Sequence, residues 1–66
     1  MRKRFRVTVR AVDESGVETE VGKLIVDAKD RNEASQKVLA ELWTPELEAS
    51  GKKPVTHAER VTGEGG

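Results

Sequence analysis

The chain has no cysteine and no tyrosine, and only one histidine, one phenylalanine and one tryptophan among its 66 residues. Without cysteine it forms no disulfide and no thiolate metal site. A lone histidine, His57, excludes a multi-histidine metal centre, so no metal and no cofactor is expected. No apolar run approaches the roughly 18–20 residues of a membrane span, and no apolar signal core follows the basic start. A cytoplasmic protein without membrane contact is therefore expected. There is no internal repeat and no glycine-rich phosphate loop. The apolar fraction is low as well, 35% against 36% charged. One small domain of this size draws only about 3–5 kcal/mol from its core, so a homodimer or another partner would supply stability the chain lacks.

The charge is zero in sum and uneven in place. Arg2, Lys3, Arg4, Arg6 and Arg10 give the first twelve residues five positive charges and no acid. The rest carries seven bases against twelve acids, a net of −5, a polarity that suits electrostatic steering. Within this start, Phe5, Val7, Val9 and Ala11 alternate with Arg4, Arg6, Thr8 and Arg10. That is the period-two pattern of a strand with one face on a core and a ladder of arginines on the other. The plainer expectation is that these arginines pair with acids on neighbouring strands, Glu18 and Glu20 being nearest across the turn.

Asp13-Glu14-Ser15-Gly16 reads as a hairpin turn, with Asp first and Gly fourth. A second strand follows from Val17 to Ala28, with Leu24, Val26 and Ala28 on the core face. Val21 has the opposite parity, which predicts a bulge near Gly22. Asp30-Arg31-Asn32-Glu33 matches a capping box, with Asp30 accepting from the Glu33 amide and Glu33 reaching back to the cap amide. The helix it opens places Ala34, Val38 and Leu42 on one stripe, flanked by Leu39 and Trp43. Thr44-Pro45 starts a second short helical turn that Gly51 ends. A third, weakly alternating strand spans Val55 to Thr62, and residues 63–66 form a flexible tail after a single domain of residues 1–62.

Chain direction then fixes the architecture. Strand two is antiparallel to strand one, and the helix returns the chain so that strand three runs parallel to strand two. Only the order 2-1-3 keeps every neighbouring pair antiparallel. The expected fold is α+β: a three-stranded antiparallel sheet with one main helix on one face, which leaves the arginine face open.

Catalytic chemistry has little to stand on. Ser15, Ser35 and Ser50 each have a local explanation in a turn, a helix surface and a helix end. His57 and Glu59 share a strand face, yet nothing sets a nucleophile or a pocket beside them, so no enzyme is expected. Basic residues on an open sheet can contact phosphates. Sheet readers of single strands add exposed aromatics, and Phe5 and Trp43 both have uses in the core. Protein recognition is favoured by Ile25 and Lys23, which lie outward beside the arginines, because arginine binds carboxylates through its planar fork. The expected contacts are Arg4, Arg6, Arg10, Lys23, Ile25 and Arg60, facing an acidic surface on a larger protein or nucleoprotein complex. Nucleic acid remains the alternative partner.

Two resemblances add to this. Residues 24–42, with a strand ending in Ala28 and Glu33-Ala34 opening a helix, resemble small phage-encoded host-takeover proteins, most of all coliphage inhibitors of bacterial RNA polymerase. The resemblance implies a phage or mobile-element inhibitor of a host machine such as RNA polymerase or a CRISPR complex. It also implies a role for Arg60, while Thr62 stands where those inhibitors carry a second arginine. The terminal Gly65-Gly66 resembles the tail of β-grasp carriers and ubiquitin-like modifiers. That would imply activation of the terminal glycine, although strands are missing between helix and tail.

Overall fold

The structure is a computed structural model that describes residues 3–61. The expected tail, Gly65-Gly66, Thr62 and Arg2 lie outside the described residues. Strand β1, Lys3–Val12, is followed by β2, Glu18–Ala28, helix α1, Arg31–Leu42, a short helix α2, Pro45–Ala49, and β3, Lys53–Arg60. The sheet has the order β2-β1-β3, and both pairings are antiparallel. The α+β fold expected from chain direction is the fold observed.

The alternation of β1 sets the layers. Phe5, Val7, Val9 and Ala11 are buried while Arg4, Arg6 and Arg10 are exposed. Ala34 and Val38 of α1 are fully buried against this row, and Ala28 closes the same cluster. Leu39, Leu42 and Trp43 flank it, together with Val21, Val26 and Ala58. Each buried valine contributes roughly 1.5–3 kcal/mol, so a core this small rests on a handful of side chains.

The turns follow from their residues. The Gly16 amide donates to the Asp13 carbonyl at 3.0 Å, and Gly16 takes the positive φ of 86° that a side chain would resist. In β2 the register with β1 shifts between Val9, opposite Gly22, and Arg10, opposite Glu20. Val21 is the extra residue, which places the expected bulge beside Gly22. The Asp30 carboxylate accepts from the Glu33 amide at 2.8 Å. The Glu33 carboxylate accepts from the Lys29 amide, also at 2.8 Å, one residue earlier than a strict capping box has it. Thr44 caps α2 by accepting from the Leu47 amide at 3.2 Å. The Trp43 indole donates to Glu48 at 2.9 Å, tying the junction of the two helices.

Strand β3 begins at Lys53, two residues before the expected start, so Pro54 lies inside it. The amide of Val61 donates to the carbonyl of Arg4 at 2.9 Å, which makes 4 and 61 a hydrogen-bonded pair. Such pairs alternate along an antiparallel ladder. Pro54, opposite Ala11, therefore turns its nitrogen away from β1, where no amide is needed.

The open sheet face and its charge pattern

One face of the sheet is covered by α1. The other carries the outward residues of all three strands, and the register sets them in rows. Ile25, Arg6 and Glu59 form one row, followed by Lys23, Thr8 and His57, then Glu20, Arg10 and Val55, then Glu18, Val12 and Lys53. Asp27 stands beside Arg4 at the near end. Of the six expected contact residues, the fold brings Arg4, Arg6, Arg10, Lys23 and Ile25 together on this face.

Arg60 is the exception. It pairs with Phe5, and Phe5 points into the core, so Arg60 lies on the helix side of the sheet. There it borders a shallow hollow with Lys3, Phe5, Asp30, Arg31 and Asn32. The expectation that Arg60 joins the arginine face is corrected by this parity. Its alternation partners Ala58 and Thr56 are too small or too polar to reveal the inward face by hydrophobicity.

The arginine ladder is also partly neutralised. The Arg6 guanidinium donates to Glu59 Oε1 at 2.7 Å, and Arg4 Nε donates to Asp27 Oδ1 at a long 3.5 Å. The hydrogen bond from Arg6, then its charge, hold the Glu59 carboxyl below its ordinary value, with His57 adding a smaller pull in the same direction. The acids come from Asp27 and Glu59, not from Glu18, and Glu20 stands opposite Arg10 without an ion pair. Arg10, Lys23 and Lys53 make no ion pair among the described residues.

No family model, curated protein or solved structure matches the chain.

What the face can do follows from its own chemistry. Ile25 is 57% exposed and Val55 is 43% exposed. They lie on a diagonal through Thr8, with Arg6 beside Ile25 and Arg10 beside Val55. Val55 was not among the expected contacts. Its signal was present in the alternation of β3, but reading it requires the register with β1. The mixture of apolar atoms, guanidinium groups and carboxylates offers binding chemistry. Among the described residues no cluster of His, Asp and Glu is arranged to hold a metal ion, and no helix is long and apolar enough to cross a membrane.

Proposed function

We propose that this chain is a non-enzymatic protein-binding module that holds its partner against the open sheet face. The observation that carries this reading is the Ile25–Thr8–Val55 diagonal framed by Arg6 and Arg10. Arginine is enriched at interface cores, and the exposed Ile25 and Val55 beside it add apolar area that a partner can cover. Arg10, Lys23 and Lys53, which make no ion pair among the described residues, call for carboxylates on the partner. A second copy is a poor occupant of this face. A two-fold axis along the strands would set the arginine column of β1 against itself. The phage resemblance makes a host machine such as RNA polymerase or a CRISPR complex the first partner to test.

The test is affinity purification from a host cell with the wild type and two variants, Ile25→Asp/Val55→Asp and Arg4→Ser/Arg6→Ser/Arg10→Ser. Both variants should lose the co-purifying protein while keeping the thermal transition, since these side chains are exposed. Arg60→Ser, on the other face, should retain it. Binding that survives both open-face variants refutes the reading, and loss with Arg60→Ser alone moves the contact to the helix side. Retention of bare oligonucleotides, with affinity falling steeply as salt rises, would favour nucleic acid instead.

A further inference from the structure

Among the described residues, the outer edge of β3 presents backbone groups that no neighbouring strand uses. Because 4 and 61 form a hydrogen-bonded pair, Glu59, His57, Val55 and Lys53 spend their backbone groups on β1. Arg60, Ala58, Thr56 and Pro54 turn theirs outward, and among the described residues no strand pairs with them. An open edge of this kind is a template for another strand unless something interrupts it. The outer strand β2 is interrupted by the bulge at Val21. In β3 the only interruption is Pro54, at its very start.

We propose that this edge pairs with the β3 edge of a second copy, antiparallel about a two-fold axis at Ala58, doubling the three-stranded sheet. The register is chosen by complementarity. With the axis at Thr56, Pro54 faces Ala58 of the second copy and the Ala58 carbonyl meets a nitrogen without hydrogen. With the axis at His57, that histidine opposes itself and Pro54 takes the place opposite Arg60. With the axis at Ala58, the amides of Thr56, Ala58 and Arg60 all find carbonyls, and Pro54 falls beyond this span. The same register sets His57 against Glu59 of the second copy and Val55 against Val61 of the second copy. Both pairs are at non-hydrogen-bonded positions, where side chains stand closest. No like charges oppose one another, since Glu59 meets His57 and Arg60 meets Thr56. Both helices stay on one side, and the two open faces lie side by side, free for the partner proposed above.

The experiment is sedimentation equilibrium of the purified full chain, without any partner, from about 1 μM to about 1 mM, the range of weak association. The wild type should approach twice the monomer mass at the upper end. Thr56→Pro removes an outward amide and no bond to β1, so it should remain a monomer with an unchanged far-ultraviolet spectrum. Register is tested in a chain that has no cysteine of its own. His57→Cys/Glu59→Cys should give a covalent dimer on mild oxidation, and His57→Cys alone should not. A wild type that stays monomeric throughout overturns the proposal and leaves the edge to a different chain. A covalent dimer from His57→Cys alone overturns the register. Neither result bears on the open-face reading, which is measured by capture of a different protein.

Discussion

Asp13 holds the first hairpin closed by accepting amide hydrogen bonds from Val17 at 3.0 Å and Ser15 at 2.9 Å. The Val17 amide is the chief cause that lowers its carboxyl from an ordinary value of 3.8, with Ser15 and the charge of Lys52 acting in the same direction. A group whose folded value is depressed stabilises the fold above its unfolded value, and that contribution disappears as pH falls through the folded value. Asp13→Asn keeps an acceptor oxygen and removes the charge. It should melt below the wild type at pH 7, and the gap should close as the pH is taken below 3.8, followed by circular dichroism. Gly22 poses a steric question instead. A methyl group there would come 3.3 Å from Leu42 Cδ1, and Leu42 is a half-buried side chain near the helix end that can give way. Gly22→Ala should stay within about 0.5 kcal/mol of the wild type. Gly22→Leu should cost about 1–3 kcal/mol by displacing Leu42. Urea unfolding of the two variants decides between them.

At the scale of elements, α1 is fixed by its cap together with the buried stripe of Ala34 and Val38. Asp30→Ala leaves the Glu33 amide without its acceptor and should cost about 1 kcal/mol, read from the shift in urea midpoint. That helix was legible because cap, stripe and stop lie within one short segment. Asp30, Ala34, Val38, Leu42 and Pro45 each act at a spacing the chain itself displays. Strand β1 was legible for the same reason, since four buried residues alternate without a break. The site was only half legible. Arg4, Arg6 and Arg10 had to share a face with one another, but their neighbours depend on two registers set by distant segments. Asp27 and Glu59 reach the arginines from opposite sides, and nothing local to β1 announces either. The parity of β3 was hidden because Thr56 and Ala58 face inward while Val55 faces out, the reverse of what hydrophobicity suggests. Once Phe5 is set opposite Arg60, the places of Val55, His57 and Glu59 all follow.

For the whole molecule, the governing fact is how few side chains are fully enclosed. Val7, Val9 and Val38 are the largest of them, and a core of this size leaves a net stability of only about 3–5 kcal/mol. Val9→Ala removes buried volume under α1 and should cost about 2 kcal/mol. That is close to half the total, so a measurable unfolded fraction should appear at moderate temperature. Stability this slender responds to anything that binds the folded form alone. The proposed association through β3 would draw on mass action, so the thermal midpoint should rise with protein concentration. Thr56→Pro, which leaves the bonds between β1 and β3 in place, should melt at one temperature whatever its concentration. Val9→Ala should start from a lower midpoint and also rise with concentration, because mass action adds the same free energy whatever the stability of the monomer. Scanning calorimetry at several concentrations measures all three, and a wild-type midpoint that does not move would mean the monomer stands on its core alone.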